Sequence, residues 1–232
     1  MAVRSAFALG LHREETMSIF SGDEQSVRRS LWRSLFVLDR FLAASLGRPT
    51  NIRESDCSGT ALIVGESKFA TQAPFSSSII ATSAGPDSFA LEAAVHSCHA
   101  IGIILEKVYS QRKISTRLAQ EIADECKNWN NYLNPSLNYR KAIPENPAQG
   151  IAILHVNLLY CHSIVLLTRP FFLYVMNKIH QEPAKYGKRF GRHITKLDKF
   201  GEACVTSSTH SIALVQTALL NRYLPCRSPF VL

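Results

Sequence analysis

The chain has 232 residues, and 46% of them are hydrophobic, so it is long and apolar enough to fold around a sizeable core rather than remain disordered. The six cysteines are spaced far apart without a C-x-x-C pair, which argues for a reducing compartment and against a disulfide framework. Lysine and arginine number 26 against 18 acidic residues, and the resulting charge of +8 is compatible with nucleic acid or acidic nuclear partners without proving either.

The apolar residues predict an all-α fold. They recur at helical spacing in five or six segments, and no segment has a convincing strand pattern. Residues 1–11 resemble the tail of a helix that starts in mid-pattern without a cap, so we expect the first helices of the domain to be missing from the sequence. The predicted architecture is a multi-helix domain with long irregular loops.

The next helix is predicted from Asp23 to Leu46. A capping-box pattern that begins at Ser21 comes just before it. Gly47 is a suitable residue for the position after the last turn, and the following Arg48-Pro49 cannot continue the helix. Both ends of this helix are therefore marked by residues with a known role at helix termini.

Apolar side chains cover more than half of the circumference of this helix, which predicts that it packs inside the domain. Asp39 and Arg40 must then be paired or lie near its edge, because an unpaired buried charge is costly. The main apolar stripe recurs at steps of three and four residues, and four further apolar residues lie beside it: Val27, Leu31, Leu35, Leu38, Leu42 and Leu46, then Trp32, Phe36, Val37 and Phe41.

The remaining chain is predicted to be an irregular connection followed by helices. Residues 48–87 are rich in Ser, Thr, Gly and Pro and predict a long loop. Pro170 lacks a backbone donor and disfavours helical geometry at the preceding residue, so the helix around it should kink or end there. Over the remaining part, residues 88–232, helices are predicted from about residue 88, from 115 or 116 to 133, from about 148, and over 198–220.

Residues 151–167 form an apolar stretch of about the minimum length for a membrane span. They contain His155, Asn157 and His162 and are followed at once by Arg169-Pro170, which favours a buried core helix without membrane association. The two histidines are seven residues apart and lie on one side of the helix. We expect them to be core histidines with satisfied hydrogen bonds rather than ligands.

A metal site is the main catalytic alternative. His96 and His99 lie three residues apart, with Glu92 one turn earlier, and could supply metal ligands for a helical metal-dependent enzyme. The water-activating carboxylate of an H-E-x-x-H motif is missing, and the sequence has no glycine-rich phosphate loop or G-x-S-x-G elbow. We therefore predict that the protein is not an enzyme and has no catalytic residues.

Basic residues concentrate near residues 185–196, in KYGKRFGRHITK, where Tyr186 and Phe190 could stack on bases. A solvated loop is the simplest interpretation of this segment. A nuclear-import signal or an auxiliary phosphate contact is the alternative. The candidate patch consists of Lys185, Lys188, Arg189, Arg192 and Lys196.

Two segments, AVRSAFALGLHRE at residues 2–14 and RRSLWRSLFVLDRFLAASLGRPTNIRESDC at 28–57, share a set of ordered motifs. They contain an LGLHR helix end, a Trp-containing basic helix that ends in LDR, a GRP turn and an Asp-Cys pair. Weaker elements follow in WNNYLNPSL and HVNLLYCHSIVLLTRPFF. With these motifs the chain resembles the regulatory middle domain of fungal-specific transcription factors, also described as the xylanolytic transcriptional activator regulatory domain.

The resemblance extends over almost the whole chain and implies a set of signature residues that we expect to be structural. The resemblance is most specific over residues 1–57, and it implies that residues 1–232 form a single partial domain. Within it, Asp39 is expected to pair with Arg40, Arg48 or Arg169. The signature residues are Leu11, His12, Arg13, Trp32, Asp39, Arg40, Gly47, Arg48, Pro49, Asp56, Cys57, Trp129, Arg169 and Pro170.

The resemblance also implies a function. It indicates a nuclear regulatory module of an RNA polymerase II transcription factor that couples a ligand or co-regulator input to transcription. Family proteins read DNA through an N-terminal zinc cluster, often as dimers, but the six cysteines here lack that spacing. We therefore expect no cofactor in this chain and DNA contact through a missing or partner domain. Co-regulators, a second copy and a small-molecule inducer are the other expected partners, and a truncated regulator that acts only through proteins is the alternative.

Overall fold

The structure, a computed structural model, describes residues 1–62, 86–127, 135–137, 139, 147–181 and 195–224. These residues form helices and turns and no strand, so the predicted all-α class is confirmed. Short 3₁₀ turns occupy Glu54–Asp56 and Pro135–Leu137, and Leu105–Ser110 is π-helical. The α-helices are α1 (Ala2–Ala8), α2 (Glu14–Met17), α3 (Gly22–Leu46), α4 (Gly59–Leu62), α5 (Pro86–Ile104), α6 (Thr116–Lys127), α7 (Pro147–Gln181) and α8 (Lys196–Leu220).

The four long helices form the body of the fold. α3 packs on α5, α5 packs on α7, and α7 packs on α8 along much of its length, while α6 contacts both α5 and α7. Apolar side chains fill the spaces between these helices, with Trp32 and Phe36 fully buried between α1, α3 and α5. A second cluster around Ile101 and Ile104 joins α5, α6 and α7. α5 and α7 therefore lie at the centre, and α3 and α8 lie outside them.

The ends of α3 are as predicted. The Ser21 hydroxyl accepts from the backbone N–H of Glu24, and the Glu24 carboxylate accepts from the backbone N–H of Ser21, which completes the capping box. At the other end, Gly47 adopts a left-handed conformation with φ of +64°, which glycine enters without steric cost. The start is one residue earlier than predicted, at Gly22.

The expectation that α3 is packed on most of its circumference is wrong for its main apolar stripe. Val27, Leu31, Leu38, Leu42 and Leu46 are all exposed, by between 39% and 68%. The buried face instead carries the aromatic pair together with charged side chains, because the larger rings fill the space next to α1 and α5: Trp32, Arg33, Phe36, Asp39, Arg40 and Ala43. Spacing alone identified the stripe but not the side of the helix that faces the core.

Parts of the predicted loop and of one predicted helix also differ from expectation. The beginning of the predicted loop at 48–87 is partly helical, in Glu54–Asp56 and α4. α4 forms because Ala61 and Leu62 bury their side chains in the cluster around Trp32. The helix predicted to reach residue 133 is described as far as Lys127, and residues 63–85 and 128–133 lie outside the described residues.

Two helical segments, Phe89–Ser110 and Pro147–Gln181, are long and apolar enough by length and composition to cross a membrane. Core helices of soluble proteins pass the same test. Half of the most apolar window of Pro147–Gln181 is buried against other parts of the protein. In the structure both segments pack against neighbouring helices, as core helices do.

α7 does not end at Pro170 but continues to Gln181. Proline has no N–H to donate to the carbonyl of residue 166, four positions earlier. The hydroxyl of Tyr109 donates to that carbonyl of Leu166 at 2.9 Å, and so replaces the missing helical hydrogen bond. The guanidinium of Arg169 lies 5.4 Å from the centre of the Tyr109 ring. The π-helical segment that carries Tyr109 thus supports α7 where its own ladder is interrupted.

Tyr109→Phe should lower the free energy of unfolding by about 1–2 kcal/mol, because it leaves the Leu166 carbonyl without a donor. Urea denaturation measures the change. In a Pro170→Ala background the backbone N–H at position 170 is restored, so the same Tyr109→Phe substitution should cost much less. An equal cost in both backgrounds would show that the hydroxyl acts in some other way than by replacing the missing bond.

Candidate ligand-binding cavity

Asp39 is buried on α3 and binds the turn that follows the helix. Its Oδ2 accepts from Nη1 of Arg40 at 2.9 Å and from the backbone N–H of Ile52 at 3.1 Å. Its Oδ1 accepts from the backbone N–H of Asn51 at 3.0 Å and from the Asn51 side-chain amide at 2.9 Å. A cationic partner and three N–H donors compensate for the lost hydration of the carboxylate.

Arg40 is therefore the partner of Asp39 among the three predicted. The side chain of Arg48 is exposed, and Arg169 lies over the Tyr109 ring on a different pair of helices. The prediction is confirmed for the neighbouring arginine and is wrong for the other two. Adjacent residues on a helix normally point in different directions, and this pair meets because both side chains reach toward the same turn.

Arg40 extends the network toward α5. Its Nη1 also donates to the carbonyl of Ile52 at 2.9 Å, its Nη2 lies 3.4 Å from Oε1 of Glu54, and its guanidinium is 4.4 Å from the centre of the Phe36 ring. A Cβ atom at Gly102 of α5 would lie 2.7 Å from Nε of Arg40. Because hydrogen bonds hold the guanidinium in place, the close approach of α5 to α3 requires glycine at this position.

His99 is part of this network and is not placed as a metal ligand with His96 and Glu92. Its Nδ1 lies 2.5 Å from Oε2 of Glu54. Burial raises the pKa of Glu54, but the hydrogen bond and charge of His99 and the charge of Arg40 outweigh burial, so the pKa of Glu54 is lowered overall. Among the described residues, no group of three or more His, Cys, Asp or Glu side chains is arranged to hold a metal ion.

The LGLHR segment covers the Trp32 end of α3. Leu11 is buried, and the His12 imidazole lies edge-on to Phe7 at 4.7 Å and 6.1 Å from the Trp32 ring centre. Burial and the charge of Arg13, which itself is exposed, lower the pKa of His12. The aromatic packing ties the start of the chain to α3.

The signature residues after α3 are mostly at the surface. Arg48, Pro49 and Asp56 are exposed, and Gly47 is in the left-handed conformation described above. Cys57 is half-buried, and burial and the neighbouring carboxylates raise the pKa of its thiol to about 11. The thiol is therefore uncharged at neutral pH.

Of the candidate basic patch, the structure describes Lys196, which is exposed at the first residue of α8. α8 begins at a capping box of Thr195 and Asp198 that the sequence analysis did not identify. The other candidate residues of the patch and one signature tryptophan lie outside the described residues: Lys185, Lys188, Arg189, Arg192 and Trp129.

A cavity of about 940 Å³ lies where α3, α5, α7 and α8 meet. Its wall is almost entirely apolar, and each of the four long helices contributes to it. Pockets of this size and character are typical of sites for small organic molecules. The lining side chains include Leu38 and Phe41 of α3, Leu91 and Ala94 of α5, Ala152, His155, Leu159 and His162 of α7, and Ser208 and Ile212 of α8.

His155 and His162 are the polar groups of the α7 wall. Nε2 of each ring is buried without a hydrogen-bond partner, so the prediction of satisfied core histidines is wrong. The physical reason is that the lining is mostly apolar, and the hydroxyls of Ser34, Ser208 and Ser211 within it donate to carbonyls of their own helices. Burial lowers the pKa of both histidines, and the charge of Arg169 lowers that of His162 further. Both rings are therefore neutral at physiological pH.

The cavity is suited to binding a mostly apolar molecule. Neutral imidazoles in an apolar wall can donate or accept a hydrogen bond from a polar group on an otherwise apolar molecule. A buried polar atom without a partner costs about 1–3 kcal/mol, which a ligand with a suitable group would recover. The sequence analysis missed the cavity because its only sequence signal is the seven-residue spacing of His155 and His162, which core helices share.

The structure thus places the LGLHR segment, the buried Asp39–Arg40 pair of the LDR motif and the GRP turn on and around α3 of a helical domain. Residues 1–141 match the fungal specific transcription factor domain, and the chain belongs to this family. The resemblance inferred from the motifs is thereby confirmed.

The curated relatives are fungal transcriptional regulators. A transcriptional regulatory protein of Schizosaccharomyces pombe is 23% identical over 99% of this chain and 27% of its own length. Filamentous growth regulator 27 of Candida albicans is 26% identical over 79% of this chain and 23% of its own length. The chain thus spans about a quarter of these relatives. No solved structure matches it.

Asp39→Ala should lower the free energy of unfolding by about 3 kcal/mol, because it leaves the buried charge of Arg40 without its partner. Arg48→Ala is the control: this arginine is exposed, and its loss should change the stability by less than about 0.5 kcal/mol. Chemical denaturation of both variants measures the difference. An unchanged midpoint for Asp39→Ala would mean that the pair does not stabilise the turn.

Stability should decrease as the pH falls below about 6.5, the pKa of an exposed histidine. The pKa values of His155 and His162 are lowered in the folded protein, so in this pH range the unfolded chain binds more protons than the folded protein. Protonation therefore favours unfolding. Above about pH 6.5 both histidines are unprotonated in both states, and their contribution to the stability is fully present. Urea midpoints measured from about pH 7.5 to about pH 5.5 test this. The double variant His155→Phe/His162→Phe should lose less stability over the same range, and an equal loss would contradict the assignment.

Proposed function

We propose that the chain is the regulatory module of a fungal RNA polymerase II transcription factor that acts in the nucleus, and that it couples a small apolar molecule to transcription. The supporting observation is the cavity of about 940 Å³ lined by four helices. The relatives, which are transcriptional regulators, support the transcriptional role.

The chemistry of the cavity wall supports a particular kind of ligand. It fits a molecule with a large apolar surface, because burial of that surface supplies most of the binding free energy. One or two polar groups on the molecule would contact the imidazoles of His155 and His162. A strongly charged ligand is disfavoured, since none of the described residues that line the cavity has a charged side chain.

The position of the cavity supports a regulatory effect. α3, α5, α7 and α8 all contribute to the wall, so a ligand that fits one arrangement of these helices better than another shifts the balance between them. The shift is then transmitted to co-regulators or to the DNA-reading part of the regulator. We assign DNA reading to a zinc-cluster domain or partner outside these 232 residues, and no cofactor to this chain.

Binding of the neutral, apolar dye Nile red tests the cavity. Ala152→Phe and Ser208→Phe fill it from the α7 and α8 sides, and each should weaken dye binding by about tenfold or more. Ala8→Phe, at an exposed position of α1, is the control and should leave binding unchanged. Helical circular dichroism shows that each variant is folded.

A reporter assay tests the coupling to transcription. The whole chain is fused to a heterologous DNA-binding domain in yeast, and reporter output is compared for the chain and its variants. Ala152→Phe and Ser208→Phe should change the output, whereas Ala8→Phe should not. If the cavity variants bind the dye as the unmodified chain does, or if their reporter output equals that of the unmodified chain, the proposal is wrong.

A further inference from the structure

The exposed apolar stripe of α3 is a surface feature that the proposed function uses only at Leu38, which lines the cavity. Its members are exposed by between 39% and 68%, although they are aliphatic and lie in one row along a single helix. A contiguous apolar row of this kind is typical of a protein interaction surface. We define the α3 face as this row together with the exposed residues beside it: Val27, Leu31, Leu38, Leu42 and Leu46, with Ser26, Ser30, Ser34 and Ser45.

The two ends of the α3 face carry opposite charges. Asp23 and Glu24 are exposed in its first turn, and Arg48 is exposed immediately after its last turn. Glu24 and Leu46, at the two ends of the helix, are separated by about 33 Å along its axis, at about 1.5 Å per residue. A partner that lies along this face should therefore be basic at one end, apolar in the middle and acidic at the other.

We propose that the partner of the α3 face is the α3 face of a second copy of the chain, packed antiparallel about a two-fold axis near position 36. In an isologous interface the same surface must be complementary to itself. The antiparallel arrangement meets this condition, because it brings Glu24 of each copy to Arg48 of the other. A parallel arrangement would bring like charges together at both ends, which is unfavourable.

The apolar positions fit the same register. Along the face, positions 27, 31, 34, 38, 41 and 45 follow alternating steps of four and three, the spacing of a two-helix seam. With the axis at position 36, Val27 lies opposite Ser45 and Ser34 opposite Leu38, so a large side chain meets a small one. Leu31 lies opposite positions 41 and 42. One register thus satisfies the charges at the ends and the packing between them.

Sedimentation equilibrium of the 232-residue chain over a concentration series tests the proposal, and the expected result is a reversible monomer–dimer equilibrium. Leu31→Glu should raise the dimer dissociation constant by about tenfold or more, because it places a carboxylate in the seam. Leu173→Glu, which alters a similarly exposed leucine on α7, is the matched control and should leave it unchanged. Neither leucine lines the cavity, so dye binding should be unaffected in both variants.

The charge pair tests the antiparallel register. Arg48→Glu places a carboxylate against Glu24 of the other copy and should weaken dimerisation severalfold. Glu24→Gln keeps a capping-box side chain but removes its charge, so adding it to Arg48→Glu should restore much of the affinity. No restoration would overturn the register. A chain that stays monomeric throughout would overturn the proposal, and the α3 face would then be covered by a different protein or by another helical segment.

Discussion

The buried pair of Asp39 and Arg40 is the interaction on which the first half of the fold depends. The two charges lie on the face of α3 that Trp32 and Phe36 bury in the core. Hydrogen bonds to the backbone of the turn at residues 51 and 52 compensate for the lost hydration of these charges. The chain after α3 must therefore fold back against that helix, and this places Glu54 next to α5. α3, its turn and α5 are thus held together by one polar network inside an apolar contact.

α7 has a comparable role in the second half. A helix of 35 residues with a proline inside it would be weakened at that point, but Tyr109 of the neighbouring π-helical turn supplies the missing donor to Leu166. The uninterrupted helix then packs on α5 along one side and on α8 along another. Because helices of different direction and length cannot fill all of the space between them, the cavity remains at their junction.

The two proposed activities use different parts of α3. The cavity wall contains Leu38 and Phe41, while the seam with a second copy extends along the whole helix from Glu24 to Arg48. Ser34, Leu38 and Phe41 belong to both surfaces. A ligand that moves α3 relative to α5 would therefore also change the seam, and dimerisation would narrow one side of the cavity. These shared side chains are a physical route between ligand binding and assembly.

The sequence by itself determined the long helices, the caps of α3 and the family, because these depend on local spacing and on short motifs such as the LDR helix and the GRP turn. It also narrowed the partner of Asp39 to three arginines. Only the tertiary structure decided that Arg40 is that partner, that the aromatic side of α3 and not its leucine stripe faces the core, and that the α7 histidines lack hydrogen-bond partners. The physical reason is that these outcomes depend on which helices meet and leave space between them, and contacts between distant segments have no local pattern.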